Sequence, residues 1–229
     1  MAERTFFVPK ISFPYFEERV VIFDYSHGFA LSQQQKSIRS MHEAISITSN
    51  FSKILEVSTK SENQVGVLLS AFNLKPNSQA QGTSVESVYQ SSKVFRNGGP
   101  FSDIASKSSI EAKKDERLKS SGDLVHFEYM GIVWPLIKSP NFYDYLYIGA
   151  LIQSIFLSEI DEYEAFTDFA FSTRPGRPKL RKSWNCQARS IAIFKGLNYQ
   201  FEKSEILENL RKLALDSSRE TKEGPLTLF

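Results

Sequence analysis

The chain has 229 residues, 41% of them hydrophobic, which is enough for one substantial core and makes a single domain the first expectation. Its one cysteine, Cys186, excludes an intramolecular disulfide framework, and a formal net charge of +2 singles out no class of partner. No run reaches the roughly eighteen apolar residues of a membrane-spanning helix, and the opening nine residues lack the apolar core of a secretory signal, so a cytoplasmic protein that does not enter a membrane is expected.

Along the chain, residues 19–25 read as a strand closed by Ser26-His27-Gly28. Ser32 reads as the cap of a helix over about 33–47, in which Ile38, Met41 and Ile45 share one face. Residues 54–59 form a second expected strand, and the polar stretch 73–83 a loop. Ser84 then caps a helix running to about Phe95, where Asn97-Gly98-Gly99-Pro100 ends it. Residues 107–122 are charged and of mixed sign, the pattern of a solvated segment; residues 124–129 alternate as a strand, closed by Trp134-Pro135. Residues 142–157 are apolar nearly all round, which predicts a buried central helix. Helices near 184–197 and 203–215 and a loose tail over 217–229 complete a chain expected to be mainly α, with a few short strands.

Charge is unevenly placed. Glu159, Asp161, Glu162, Glu164 and Asp168 crowd one segment, and Arg174, Arg177, Lys179, Arg181, Lys182 and Arg189 the next. The basic block, interrupted by Pro175, Gly176 and Pro178 and followed by Trp184, suits contact with phosphates and a stacked base, or else a solvated loop. His27, His42 and His126 share no spacing, so no metal site is expected. Gly98-Gly99 offers amides to a phosphate but is equally an ordinary helix end. Cys186 reads as a buried residue, with Cys-His catalysis assembled in space left open.

On the helix after Ser84, Glu86, Gln90 and Lys93 fall within about 60 degrees of one another, apart from the arc of Val85, Val88, Tyr89 and Phe95. Glu86 and Lys93 are seven residues apart, too far for the i,i+4 pair of a surface helix, so they suit a shared ligand. A carboxylate and an amine converging there fit attack at an acetal-like carbon, where positive charge develops as the leaving group departs. The carboxylate would stabilise that charge or activate water. A buried lysine could instead attack an opened ribose and form a Schiff base.

Ser70-Ala71-Phe72-Asn73 followed by Ser84-Val85-Glu86-Ser87-Val88-Tyr89-Gln90-Ser91-Ser92-Lys93 resembles the Ser-Asn-Phe and Glu-His-x-x-Gln-x-x-Lys signature of NADAR domains. Residues 54–59 stand where that family has its opening strand, Trp134 its mid-domain tryptophan, residues 164–168 its acidic loop and residues 185–195 its closing helix. Two positions depart from the pattern: Ser87 replaces the usual histidine, and Ala71 the usual asparagine, with Asn73 following Phe72.

The resemblance implies a helix-rich N-glycosidase domain over 52–216, with 1–51 as an α/β extension packed on it. It implies hydrolysis of N-glycosidic bonds to ribose, either ADP-ribosylated guanine in nucleic acid or phosphorylated intermediates of riboflavin synthesis, without a cofactor. The extension and Asn185-Cys186-Gln187-Ala188-Arg189 look most like the branch encoded beside DarT-type toxins, whose members act as antitoxins by removing the modification. On that reading Glu86 and Lys93 act at the anomeric carbon, Asp168 (or Glu164) holds ribose or water, and Trp134 packs a ring. Ser70, Phe72, Asn73, Gln90 and Asn185 would contact substrate, and Arg174, Arg177, Lys179, Arg181 and Lys182 would guide the DNA. ADP-ribosylated DNA, ADP-ribose as product and a DarT-type toxin are the expected partners. A module that binds ADP-ribose or a toxin without cleavage is the alternative from another class.

Overall fold

A computed structural model describes residues 1–76, 82–136, 140–169 and 185–216. In chain order these form β1 (Ala2–Pro9), β2 (Phe16–Phe23), α1 (Leu31–Ser49), β3 (Ile54–Glu56), α2 (Gln64–Leu68), α3 (Val85–Ser91) and β4 (Lys93–Phe95). There follow α4 (Ser109–Lys114), α5 (Arg117–Ser120), β5 (Leu124–Tyr129), β6 (Ile132–Trp134), α6 (Phe142–Ile152), β7 (Ala165–Thr167), α7 (Gln187–Asn198) and α8 (Lys203–Leu215). Short 3-10 segments occupy Ser102–Ser106 and Leu157–Glu162.

The expectation of a mainly α chain is corrected. Of the described residues 46% are helical and 18% lie in strands, arranged as a four-stranded sheet in the order β2-β1-β7-β3 and a three-stranded sheet in the order β4-β5-β6, roughly an α/β fold. The strands were hard to read because β3, β4, β6 and β7 have three residues each, too few for a period of two to register. They exist because their neighbours supply hydrogen-bond partners. The central strand β7 is the clearest case: the acidic loop expected over 164–168 is a strand there, antiparallel to β1 and parallel to β3.

The chain divides into two compact units, one made of Met1–Ser70 with Ile155–Phe201 and the other of Ala71–Ser154 with the chain from Glu202 onward. In the first, β1 and β2 pair over their whole length, from Ala2 opposite Phe23 to Pro9 opposite Phe16. Helix α1 lays Ile38, Met41 and Ile45 on Phe6, Val21, Phe23, Ala165 and Phe169, the face that the sequence pattern marks. Helix α7 passes so close to the turn after β1 that a Cβ on Gly196 would stand 2.2 Å from the Tyr15 carbonyl oxygen, which leaves glycine as the residue that fits.

In the second unit, β4, β5 and β6 form an antiparallel meander whose β5–β6 turn uses Met130 and Gly131 at φ 51 and 74 degrees. Trp134 therefore sits on β6 rather than at the end of β5. Helix α6 is buried on nearly every side, as its apolar sequence predicts, with Asn141 capping its first turn. Tyr89, Phe127, Phe142 and Tyr143 form an aromatic cluster with centroid separations of 5.0 to 6.2 Å. Residues 107–122, expected as a solvated segment, are mostly exposed and carry α4 and α5. Asp115 accepts from Lys107 at 2.6 Å and from Arg117 at 2.9 Å, which ties the two short helices together and holds its carboxyl well below the usual range. Among the described residues no helix is long and apolar enough to cross a membrane.

Candidate active site

Helix α3 is fixed at its start by a reciprocal cap. The Ser84 hydroxyl oxygen accepts from the Ser87 amide at 3.1 Å, and the Ser87 hydroxyl oxygen accepts from the Ser84 amide at 3.0 Å. Ser109 of α4 stands 2.7 Å from the Ser84 hydroxyl oxygen and donates to the Phe72 carbonyl at 2.7 Å, so the first signature segment and α4 are both tied to the α3 cap. Ser87 is wholly buried in this arrangement. Where the family resemblance has a histidine, this chain has a cap.

The helix does not run to Phe95 as expected. It ends at Ser91, and Lys93 opens β4 opposite Phe127 of β5. A Cβ on Gly99, at φ 97 degrees, would fall 2.3 Å from the Lys93 carbonyl oxygen, so the Gly98-Gly99 turn closes on this strand rather than ending a helix. Glu86, Gln90 and Lys93 are nevertheless brought together. The Gln90 amide nitrogen donates to Glu86 Oε1 at 2.9 Å, and Lys93 Nζ donates to Gln90 Oε1 at 2.7 Å. Lysine only donates and an ionised carboxylate only accepts, so the amide has one workable orientation between them. Gln90 thus spaces the two groups rather than standing beside them.

Both Glu86 and Gln90 are buried, while Lys93 is half-buried with Nζ 5.0 Å from the centroid of the Tyr89 ring. Burial pulls the Lys93 amine down to about 8, against the attraction of Glu86 and with the repulsion of Lys113. Lys113 of α4, exposed, has Nζ 3.9 Å from Glu86 Oε1 and 5.1 Å from the Phe72 ring centroid. Its mixed-charge surroundings hide it in the sequence, although Ser108 and Glu111, which form a capping box, signal a helix start there. Phe72 is half-buried and Asn73 exposed in the same unit.

Trp134 is fully buried, its ring 5.4 Å from Phe142 and 4.6 Å from Tyr145, as a core residue would be. Its indole Nε1 has no hydrogen-bond partner among the described residues. A groove of about 390 Å³ is lined by Pro100, Glu128, Tyr129, Met130, Gly131 and Val133, with none of the sequence-derived candidates.

Asp168 and Glu164 belong to the other unit and have different surroundings. Glu164 is exposed, and its carboxylate accepts from the Ser52 and Lys53 amides at 2.8 and 3.0 Å, which holds it below the usual range and commits it to the start of β3. Asp168 is buried just after β7, 4.0 Å from the Cys186 sulfur. Burial and the Asp168 charge push the Cys186 thiol up, so it is a proton-bearing neighbour of the carboxylate. Ser70 is buried and donates to the Val67 carbonyl at 2.7 Å; Asn185 is half-buried ahead of α7. Arg174, Arg177, Lys179, Arg181 and Lys182 lie outside the described residues, as does the tail over 217–229. No group of three or more metal-ligating side chains occurs among the described residues.

A family model described as DarT1-associated NADAR antitoxin matches residues 2–222, the N-terminal strands included. The chain belongs to this family of NADAR antitoxins. Membership supports an antitoxin role, with a DarT toxin as the partner it suggests. No curated protein matches the chain.

Proposed function

We propose that this protein is an N-glycosidase that releases ADP-ribose from guanine in DNA and so reverses the modification made by a DarT1-type toxin. The observation that carries this reading is the hydrogen-bonded chain from buried Glu86 through buried Gln90 to half-buried Lys93, in which a carboxyl group and an amine of lowered proton affinity are held on either side of one amide. When the C1′–N bond breaks, the base leaves with the electron pair and takes a proton, and positive charge spreads over C1′ and the ring oxygen. Glu86 is assigned to stabilising that charge. Water then supplies hydroxide to C1′, and Asp168 is the second carboxyl assigned to holding the ribose or that water. Lys93, partly neutral at pH 7, is free to act as base or as nucleophile on the opened sugar. Phe72, Asn73, Ser70 and Asn185 are assigned to the substrate, and the basic residues from Arg174 to Lys182 to the DNA strand.

The test is turnover. DNA carrying ADP-ribosylated guanine is incubated with a hundredth of its amount of protein, and free ADP-ribose is measured; complete release is expected. Glu86→Gln and Lys93→Ala, each checked for folding by circular dichroism, should release ADP-ribose at least 10²-fold more slowly, about the loss of one electrostatic stabiliser. Tight binding of the modified DNA without release would make the protein a binding module, and full activity in both variants would remove the roles assigned to these residues.

A further inference from the structure

Glu56 is a buried carboxylate that nothing in its sequence context marks out. It ends β3, paired in register with Thr167 of the parallel strand β7. Its Oε2 accepts from the Thr167 hydroxyl at 2.6 Å, and its Oε1 accepts from the Ser58 hydroxyl at 2.6 Å and from the Phe169 amide at 2.9 Å. Two of these three donors belong to the residues on either side of Asp168. A buried ionised carboxylate costs several kcal/mol unless it is paired or well hydrogen-bonded, so its presence at the strand end calls for a reason.

We propose that Glu56 is the positioning residue for Asp168, gripping the chain on both sides of that carboxylate and standing as the second carboxyl of a buried pair. The inference rests on the assignment of Asp168 to the site.

The hydrogen bonds around Glu56 have a direction. With Glu56 ionised, as it is above about pH 7, the one proton of the Thr167 hydroxyl goes to Glu56, so its oxygen accepts from His42 Nε2, 2.8 Å away on α1. Burial pulls His42 down to about 4, so the imidazole is neutral at physiological pH and carries its single proton on Nε2. The groups around the pair are Ser58 beyond β3, Thr167 and the Phe169 amide at the end of β7, His42 from α1, and Cys186 with Arg189 at the start of α7. Arg4 of β1 lies 5.7 Å from the centroid of the Phe169 ring. Burial and the charge of Asp168 push Glu56 up to about 7, so Glu56 ionises beside a carboxylate that is already charged.

Glu56→Gln keeps the shape and removes the charge. A glutamine amide in place of Oε2 donates to Thr167, whose hydroxyl must then turn to His42, and His42 must move its proton to Nδ1. The variant can therefore fold with every bond kept and the chain reversed.

The experiment compares wild-type protein with Glu56→Gln by three measurements: ¹⁵N spectra of His42, the ¹³C titration of the Asp168 carboxyl, and kinetics on ADP-ribosylated DNA. The expected result is a change of His42 at pH 8 from the Nε2–H to the Nδ1–H form, loss of the inflection near pH 7 that the ionisation of Glu56 imposes on the wild-type Asp168 signal, and a fall in kcat on the order of 10²-fold with KM within about twofold, the effect of a displaced catalytic group. A wild-type Asp168 signal with no inflection near pH 7, or wild-type kcat in a variant whose His42 has switched, overturns the positioning role. Failure of the glycosidase reading is seen separately, as wild-type protein that releases nothing; the inflection of the Asp168 signal near pH 7, and its loss in Glu56→Gln, then decide alone whether Glu56 acts on Asp168.

Discussion

Replacing Lys93 by methionine should stabilise this protein at neutral pH while removing its activity. The amine titrates near 8 in the folded chain and near 10.5 when unfolded, because burial disfavours its charged form. Below about pH 8 the folded state carries a charge that it holds less well than the unfolded chain does. As pH rises from about 8 to about 10.5 the unfolded chain keeps its proton while the folded one has released it, so wild-type stability climbs through this window. The gap between 10.5 in the unfolded chain and about 8 in the folded one corresponds to about 3 kcal/mol at pH 7, at 1.36 kcal/mol per pH unit. Methionine fits a similar volume without a charge, so Lys93→Met should be the more stable protein at pH 7 by an amount up to that figure. Loss of the bond to Gln90 offsets about 1 kcal/mol of it. The shape of the difference is the stronger signature, since the bond to Gln90 does not impose it. Urea unfolding of both proteins at pH 7 and pH 10 should show the advantage of the variant shrinking by about 2.5 kcal/mol between the two. A difference that is constant with pH, or a variant less stable at pH 7 than at pH 10 relative to wild type, would refute a desolvated lysine at this position.

If the neutral amine of Lys93 takes part in cleavage, kcat/KM should rise about tenfold per pH unit below 8 and level off above it, and a flat profile from pH 6 to 9 would exclude that role. Gln90→Ala removes the spacer between Glu86 and Lys93 and should lower kcat with little change in folding, measured by release of ADP-ribose and by melting temperature. Restoring the histidine of the family signature should do harm here: Ser87→Ala loses half of the α3 cap at a cost of about 1 kcal/mol, and Ser87→His must also displace buried neighbours, at about 1–3 kcal/mol more in urea unfolding. Trp134→Ala empties a site packed by Phe142 and Tyr145 and should cost about 3–5 kcal/mol; a loss of catalysis without that loss of stability would mark the ring as a substrate contact.

Much of the site was legible because its residues lie close in sequence. Ser84 as a cap, and Glu86 with Gln90 one turn apart, follow from a period of 3.6 and from the chemistry of serine at a helix start, and the structure keeps both. The face of α1 with Ile38, Met41 and Ile45 was readable for the same reason, as was the all-round burial of α6. Periodicity failed at Lys93. A helix continued to Phe95 places its amine on the stripe by rotation, whereas the chain leaves the helix after Ser91 and brings the amine back along a strand. Only the pairing of β4 with β5, two segments about thirty residues apart, decides that.

The sequence by itself determined local matters, namely Ser84 as a cap, which face of a helix is apolar, and the ordered motifs of a NADAR chain, all set by interactions within a few residues; Ser32, expected to cap α1, lies inside that helix, whose cap position is Ala30. What only the tertiary structure decided are the sheets and the surroundings of each carboxyl. Glu164 and Asp168 are four residues apart and equally acidic on paper. One is exposed and bound by the amides ahead of β3, and the other is buried beside Glu56 and Cys186, partners 112 and 18 positions away in the chain. Glu56 gave no signal at all, since an isolated glutamate in a short apolar strand looks like any solvent-facing residue. Its role depends on where β7 places Thr167 and Phe169, and the free energy of burying a charge is set by such distant neighbours rather than by the residues beside it.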